Sequence, residues 1–532
     1  MTWERVRAAR ARFAAEEGTI CKDWGGKLPV ALVYPNAYRL GMSNLGIHAI
    51  YAFLNSRPDV VCERVFWEGR EKDTGQPPVS IESQRPLTDF AVVAFSVTYE
   101  LDYLNLPAIL AASSLPLYAA QRDETHPLII AGGACITANP MPVAPFFDCL
   151  FIGEAEAILP RLLELIEQER GSKRDTLLSV LSKMPGAYVP LYAGQVVQRQ
   201  WTEDVDAFPV HSAVLTRDTE LGDMYLLEVE RGCRWACRFC LVCGMFRPMR
   251  ARSLDSLVAQ AEIGLKYRRR VGLVGPDVPD HPQFEQLLTR LKQMGAETSV
   301  SSLRVRPLSS LALSELARSG SGTVALAPEA GSQRLRDVIR KGIGEDDIVN
   351  AMHVISREKM KQVRLYFMIG LPTETDDDIG EIASLTLKCA SALEQKRSGV
   401  RITLSVAPFV PKAGTPFEWM PMERVAVLER RLARLKVRLQ PEGVKVVGES
   451  PAWSQVQAVL ARGDSRLAPA MAGMRELSLP AWRRSLEESD LDAERYAHRK
   501  WDTNEELPWA KIDSGRSLDY LKQELERALR EQ

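Results

Sequence analysis

Tyr225-Leu-Leu-Glu-Val-Glu-Arg-Gly-Cys233-Arg-Trp-Ala-Cys237-Arg-Phe-Cys240-Leu-Val-Cys243 is the stretch around which the chain is organised. Its apolar opening reads as a buried strand, and Arg231-Gly232 breaks that strand. Cys233, Cys237 and Cys240 follow within a loop short enough to wrap one small metal centre. Thiolates in a C-x3-C-x2-C arrangement suit a cubane iron–sulfur cluster, because cysteine is its usual ligand and three ligands leave one iron open for chemistry. Two rival readings stay open. Cys243 makes a second C-x2-C pair with Cys240 and could complete a closed four-ligand zinc site. Cys237, Cys240 and Cys243 also repeat the C-x2-C-x2-C opening of an electron-transfer cluster, although no Cys-Pro follows.

The surrounding composition limits the alternatives. A chain of 532 residues has room for about three or four domains with sizeable cores. Its 68 basic and 69 acidic residues leave a formal charge of −1, so no global basic field announces nucleic acid or a membrane surface. Four of the nine cysteines fall between positions 233 and 243, which points to a metal site rather than a disulfide framework. With no signal peptide or long apolar span, the expected compartment is the reducing cytoplasm. Cys21, Cys62, Cys135, Cys149 and Cys389 are scattered and read as small buried hydrophobes.

Ahead of the cysteine stretch, a charged helical segment up to about Lys27 gives way to an α/β rhythm. Strands are expected at Pro29 to Tyr34, Val61 to Trp67, Phe90 to Ser96, Leu128 to Gly133 and Cys149 to Gly153, with helices at Asn44 to Leu54 and about Glu154 to Gln168. This alternation predicts a parallel doubly wound sheet whose ligand lies beyond the carboxyl ends of the strands. Those ends carry Asn36, Tyr38 and Gly41, then Ser96 and Thr98, then Gly132 and Gly133. Here the chain resembles the Rossmann-like cobalamin-binding domain that precedes many radical S-adenosylmethionine (SAM) enzymes. The resemblance implies Tyr38, Gly41, Ser96, Thr98, Gly132 and Gly133 as corrinoid contacts. Where histidine-ligating cobalamin domains read D-x-H-x-x-G, this chain has Asn36, Tyr38 and Gly41, so histidine ligation is not expected. Either a corrinoid binds without that ligand, or the domain keeps the fold and has lost the cofactor. His48 falls in the following helix and reads as a surface or packing residue.

From about Glu169 the periodicity weakens, and positions 169–222 read as a linker. A second α/β unit begins at the cysteine strand, with further strands expected at Val271 to Gly275, Ser299 to Val305, Thr323 to Ala327, Val363 to Met368 and Arg401 to Pro408. Six such βα units make a partial, open barrel whose chemistry belongs at the strands' C-terminal ends. The candidates at those ends are Gly275 and Asp277, Ser302 and Arg304, Glu329 and Ser332, and the turn Gly370-Leu371-Pro372. Gly331 permits a turn before Ser332, which is placed to cap the next helix.

Cys233, Cys237 and Cys240 with Phe239, the phrase Ala327-Pro-Glu-Ala-Gly-Ser332 through Lys341-Gly342, Tyr366 to Pro372 and Ser405 to Trp419 together resemble the radical SAM superfamily. The likeness is to the branch with a cobalamin-type domain ahead of the barrel, and within it to a subfamily associated with a radical SAM-linked protein. It extends over nearly the whole chain, including Glu506-Leu-Pro-Trp509 and Leu521 to Glu524. The resemblance implies that Cys233, Cys237 and Cys240 hold a 4Fe–4S cluster whose fourth iron is chelated by SAM. One electron then releases a 5′-deoxyadenosyl radical. Phe239, Gly370, Leu371 and Pro372 would face the adenine; Ser302, Arg304 and Glu329 would reach the methionyl carboxylate and ribose. Gly275 and Asp277 stand where the family's Gly-Gly-Glu turn is absent, and Ser332 completes the set. Cys243 is an addition to the motif: a spectator, a reactive thiol or a ligand to something else.

The expected organisation is therefore a Rossmann-like cobalamin-binding-type domain over 1–168, a linker over 169–222, a radical SAM partial (β/α)6 barrel over 223–422 and a small, mainly helical C-terminal region over 423–532. The arginines of Arg430 to Arg438 read as a solvated helix face with phosphate as the rival, and Trp453, Trp482, Trp501 and Trp509 as packing residues. The expected outcome is radical modification, with cobalamin-dependent methyl transfer, or cobalamin-independent thiolation or rearrangement, of RNA or a small molecule. Flavodoxin or ferredoxin would supply the electron. A non-catalytic metal-cluster scaffold is the reading of another class.

Overall fold

A computed structural model describes residues 3–69, 76–192, 194–320, 322–358, 360–394 and 398–530. Contacts divide the chain into two compact units. The first comprises Met1–Asp223, Val459–Ala493 and Glu506–Gly515; the second comprises Met224–Ala458, Glu494–Glu505 and Arg516–Gln532. The segment expected as a separate C-terminal helical region is thus shared out between the two units. Its amphipathic helices each need a larger core to cover their apolar faces.

The first unit is built on β1 (Leu28–Tyr34), β2 (Val60–Phe66), β3 (Val92–Ser96), β4 (Leu128–Gly132), β5 (Cys149–Phe151) and β6 (Ala187–Tyr188). Their order is β2-β1-β3-β4-β5-β6; the first five run parallel and β6 is antiparallel to β5. That is the flavodoxin-type doubly wound order, with its crevice where β1 and β3 diverge. Near-continuous apolar runs such as Val30 to Val33 are what a sheet covered on both faces requires. Part of the expected linker belongs to this unit, as the helix Arg174–Leu181, β6 and a short β7 (Val197–Gln198) that pairs in parallel with Ile512–Asp513. Two-residue strands carry no periodicity, so the sequence gives no sign of them.

The second unit holds the parallel strands β8 (Tyr225–Glu228), β11 (Arg270–Val274) and β12 (Glu297–Val300), ordered β12-β11-β8, and the parallel arc β13 (Thr323–Glu329), β14 (Gln362–Ile369), β15 (Arg401–Pro408) and β16 (Lys445–Gly448). The amide of Leu303, just past β12, donates to the carbonyl of Ala325 in β13 at 3.0 Å and links the two arcs. Strands occur at all six expected places, but the one expected over Ser299 to Val305 is Glu297–Val300, which leaves Ser302 and Arg304 in the loop beyond its end, and β16 extends the sheet beyond Arg401 to Pro408. β9 (Glu230–Arg231) and β10 (Arg250–Ala251) form a small antiparallel pair that clamps the base of the cysteine loop. Among the described residues no helix is long and apolar enough to cross a membrane.

Candidate functional site

In the second unit, β8 ends at Glu228 and the chain turns through β9 into the cysteine loop. Gly232 sits at φ +80°, and a Cβ there would lie 2.0 Å from the carbonyl oxygen of Phe246, so only glycine lets the loop close on itself. Cys240 begins the one-turn helix Leu241–Met245, which places Cys243 on the same face. Gly244 lets the Gly414-Thr415 loop approach, since a Cβ would meet the Gly414 carbonyl at 2.6 Å. This contact gives the Ser405 to Trp419 phrase its physical role.

The loop is anchored from behind. Arg238 is buried, pairs with Glu524 at 3.1 Å and donates to the carbonyls of Asp337 and Val338. Glu524 lies on the terminal helix Leu518–Arg530 and also takes Arg340 at 3.1 Å and Arg527 at 2.6 Å. Three guanidinium groups around one buried carboxylate hold it below the usual glutamate range despite burial, which acts the other way. Arg516 donates to the Cys243 carbonyl at 3.2 Å.

All four sulfurs converge. The Cys243 thiol is hydrogen-bonded to Cys233, Cys237 and Cys240 and stands between them. Those bonds lower the Cys233 thiol, take Cys240 down to about 7 and raise Cys243 itself. None of the nine cysteines is in a disulfide. Among the described residues no group of three or more His, Cys, Asp or Glu is arranged to hold a single metal ion. An all-thiol donor set on one tight loop is the chemistry that iron–sulfur clusters use.

Around the thiols stand charged groups from successive strand ends. Glu329 closes β13 after a register shift between Leu326 and Glu329, and it holds φ +68°. Such a conformation costs about 1–3 kcal/mol for a non-glycine residue and concentrates at functional sites. Its carboxylate pairs with Lys341 at 3.0 Å. Burial alone would lower the Lys341 ammonium, but Glu329 and the neighbouring Cys237 and Cys240 hold it above its ordinary value. Gly331 admits the helix Asp376–Ala392, since a Cβ would meet the Ile382 amide at 2.2 Å. Ser332 caps the helix Gln333–Val338 and donates to Asp378, so its hydroxyl is held within the fold.

Asp277 and Arg304, expected as separate contacts, are an ion pair at 2.9 Å. Arg304 also reaches Asp280 at 3.0 Å and lies 3.7 Å from the Trp235 ring centre, while the Trp235 indole donates to Asp280. Burial takes the Asp277 carboxyl up to about 6. Gly275 leaves room for Glu230, whose Cγ would lie 2.7 Å from a Cβ at 275. Phe239 and Ser302 are half-buried. Gly370 sits at φ +81° and donates to Glu374 at 2.6 Å; with Leu371, Pro372, Glu374, Met422 and His498 it lines a cavity of about 230 Å³.

Sequence reasoning missed Glu230. It is 1% exposed, accepts from the Asp277 amide at 2.7 Å through Oε1, and its Oε2 is buried without a hydrogen-bond partner. Burial, with Asp277 and Cys233 nearby, takes it up to about 8. An acidic residue at an inward position three places before the first cysteine was the available signal.

In the first unit the candidate corrinoid contacts are mostly used by the fold itself. Tyr38 is buried, its hydroxyl on Glu16 at 2.6 Å, and Gly41 faces the Phe66 ring. Ser96 is buried, and Gly133, at φ +120°, is backed by the Val97 carbonyl, 2.2 Å from where a Cβ would stand. Thr98 and Gly132 remain half-exposed at their strand ends. Asn36 donates to the buried Asp102 at 2.7 Å, and Asn44 to Thr98 at 3.4 Å. His48 is buried rather than on the surface; it sits on the Met42 carbonyl, and burial lowers it to about 4. Elsewhere, Arg431 and Arg434 bond to the loop and helix start after β14, Arg431 reaching Glu374 at 2.8 Å, and Trp482, Trp501 and Trp509 are buried.

Residues 46–190 match the family model for radical SAM proteins, N-terminal, and residues 227–386 that of the radical SAM superfamily. An uncharacterized protein of Methanocaldococcus jannaschii is 31% identical over 445 residues, 82% of this chain and 89% of that protein. This chain belongs to the radical SAM superfamily. Enzymes of that superfamily use SAM and a 4Fe–4S cluster, and the converging thiols of this radical SAM enzyme fit such a cluster in donor chemistry. An uncharacterized methyltransferase of Pyrococcus horikoshii is 24% identical over 288 residues, 52% of this chain and 60% of that protein. The solved structure of the cobalamin-dependent SAM radical enzyme OxsB with aqua-cobalamin and SAM bound has TM-score 0.50 at 12% identity, covering 94% of this chain and 79% of that one. That likeness is one of fold.

Proposed function

We propose that this enzyme cleaves SAM reductively in its second unit, with Cys233, Cys237 and Cys240 as ligands of the cluster, and uses the resulting radical to modify a substrate. The thiols bonded to Cys243, beside the buried Glu230 and the half-buried Asp277, Arg304, Glu329 and Lys341, carry this reading. Cys233, Cys237 and Cys240 would hold the cluster, which when bound would supply the single electron for reductive cleavage of the SAM sulfonium. The protein's own contribution is orientation and charge. Glu230 presents an unbonded carboxyl oxygen suited to the methionyl ammonium. Binding a cation there favours its ionised form, against the burial that keeps it protonated near neutrality. Arg304 and Lys341 supply positive charge suited to the methionyl carboxylate, each already steadied by an acidic partner. Phe239 and the Gly370-Leu371-Pro372 turn are the apolar and backbone surfaces suited to adenine.

The finer reading is methyl transfer with a corrinoid held by the first unit. It is supported by that unit's sheet order, by the fold likeness to OxsB and by the methyltransferase name of the Pyrococcus relative. Thr98, Gly132 and Gly133 are the candidate contacts still half-exposed, so a corrinoid would rest on the strand ends without a histidine ligand.

The test is anaerobic reconstitution with iron and sulfide, followed by SAM and a strong reductant and chromatography of the products. 5′-Deoxyadenosine is the expected product, with S-adenosylhomocysteine beside it if methyl transfer is the outcome. A full cluster with neither product, across candidate substrates, overturns the reading. Expression with hydroxocobalamin tests the finer one, which fails if no corrinoid absorbance survives gel filtration.

A further inference from the structure

Cys243 is the thiol that the superfamily chemistry leaves over, yet it occupies the centre of the site. Its side chain is hydrogen-bonded to those of Cys233, Cys237 and Cys240. It is also held in place: Cys243 is 4% exposed, its helix is packed against the Gly414 loop, and its carbonyl is fixed by Arg516. The run Cys237-x2-Cys240-x2-Cys243 repeats the spacing by which neighbouring thiolates ligate one cubane. A soft thiolate this close to an iron with an open position will bind it unless something else does.

We propose that Cys243 is the exchangeable fourth ligand of the cluster, binding the otherwise open iron when SAM is absent and leaving it when the amine and carboxylate of SAM arrive. The inference rests on the reading that Cys233, Cys237 and Cys240 hold the cluster. It involves ligand exchange only: the Fe–S(Cys243) bond breaks, the iron gains the nitrogen and oxygen of SAM, and the departing thiolate takes up the proton that the methionyl ammonium gives up as its nitrogen binds. No electron moves. The consequence is a guarded resting state in which a four-cysteine cluster resists loss of iron. The corresponding cost is weaker apparent binding of SAM, because a protein whose competent form is one part in ten binds about tenfold more weakly than its intrinsic constant.

The test compares wild type, Cys243→Ala and Cys243→Ser, each reconstituted anaerobically. Iron and sulfide content are measured first. Loss of the fourth iron to ferricyanide is then followed by the electron paramagnetic resonance signal of the three-iron product, and SAM affinity by equilibrium dialysis. The expected result is that wild type without SAM keeps its fourth iron, while C243A loses it at least about tenfold faster unless SAM is present. C243A should also bind SAM about tenfold more tightly, with C243S between the two. Equal iron loss and equal SAM affinity in all three proteins, each with a full cluster, overturn the proposal while leaving the cluster reading intact. Failure of wild type itself to take up a four-iron cluster overturns both. If C243A takes up no cluster at all, the site is a closed four-cysteine centre and the exchange is refuted, provided that C243S also fails and the circular dichroism of both is native.

Discussion

At the carboxyl ends of β1 and β3, Asn36, Asn44, Thr98 and Asp102 bond to one another, and Tyr38 turns into the core to meet Glu16. At the carboxyl ends of β8, β11 and β13, Glu230 keeps an unbonded buried oxygen, Glu329 is held at φ +68°, and the Cys243 thiol is bonded to those of Cys233, Cys237 and Cys240. Both are edges of parallel sheets, and the general rule places ligands at both. The difference is one of degree: in the first unit most polar groups at the edge are paired with one another, with Asp102 raised by burial, whereas in the second a strained Glu329, a raised Glu230 and Asp277 and four thiols gather at one edge. The strand-end rule therefore locates a site, and unmet polar demand tells which edge is equipped for chemistry.

The hardest test of that contrast is to remove a ligand. Cys237→Ala should abolish 5′-deoxyadenosine formation to background and lower bound iron, because if Cys243 takes the vacated place no thiol is left to exchange with SAM in the native geometry, and without it only two ligands remain. Thr98→Ala at the other edge should leave SAM cleavage in the absence of substrate unchanged. If T98A abolishes cleavage as completely as C237A, the two edges do not differ in this way.

Next is the anchor. Glu524→Ala leaves Arg238 and Arg340 beside a hole, and breaking a buried ion pair from one side costs about 3–5 kcal/mol. The expectation is a fall of that size in the urea unfolding of the reconstituted enzyme, together with faster loss of the cluster, since Arg238 lies between two of the ligands. A cost below about 1 kcal/mol, the level of an exposed pair, would mean that the terminal helix does not brace the cysteine loop.

The cysteine spacing, the strand pattern and the glycines at strand ends were legible because each follows from local chemistry: soft ligands close in sequence, runs of apolar residues, turns that exclude a Cβ. What was not legible depended on distance along the chain. Glu524 meets Arg238 across a separation of 286 in residue number, and no local pattern joins them. Asp277 and Arg304 were each read as reaching for a ligand when they reach for each other. Tyr38 looked available because a tyrosine after a strand is often a site residue; its partner Glu16 lies in a segment read only as a docking helix. Glu230 was passed over because a carboxylate within a strand run looks like alternation, and only the packing of Gly275 shows that it is buried. The short strands β6, β7 and β16 were set by pairing partners rather than by their own sequence.

A smaller effect separates the edges by pH. Burial takes Asp102 from its ordinary 3.8 up to about 7. Between those values the folded protein keeps a proton that the unfolded chain has released, so this contribution to stability is fully present at low pH and declines as pH rises toward 7. Asp102→Asn carries no titrating proton and removes the slope. Relative to wild type it should gain about 2 kcal/mol between roughly pH 5 and pH 8, read from urea midpoints of the first unit's transition. A constant difference across that range would show that Asp102 titrates in the fold as it does in the unfolded chain, and that burial there carries no penalty for its charge.

The finest discrimination uses two glycines. A Cβ at Gly275 would press on Glu230 Cγ from 2.7 Å, whereas a Cβ at Gly133 would stand 2.2 Å from the Val97 carbonyl on a backbone at φ +120°. The first clash is with a side chain that can tilt, so Gly275→Ala should cost only about 1 kcal/mol of stability. It should, however, move the carboxyl oxygen proposed to receive the methionyl ammonium, weakening SAM binding about tenfold, equivalent to about 1.4 kcal/mol. The second clash is with backbone at a left-handed residue, so Gly133→Ala should destabilise the first unit by more and leave SAM affinity as it was. Equilibrium dialysis with SAM beside thermal unfolding reads both quantities on both variants. A G275A protein that binds SAM like wild type would remove Glu230 from the SAM site and leave Asp277 as the carboxylate of that turn; a G133A protein that loses SAM affinity would show that the quiet edge contributes to the reactive one.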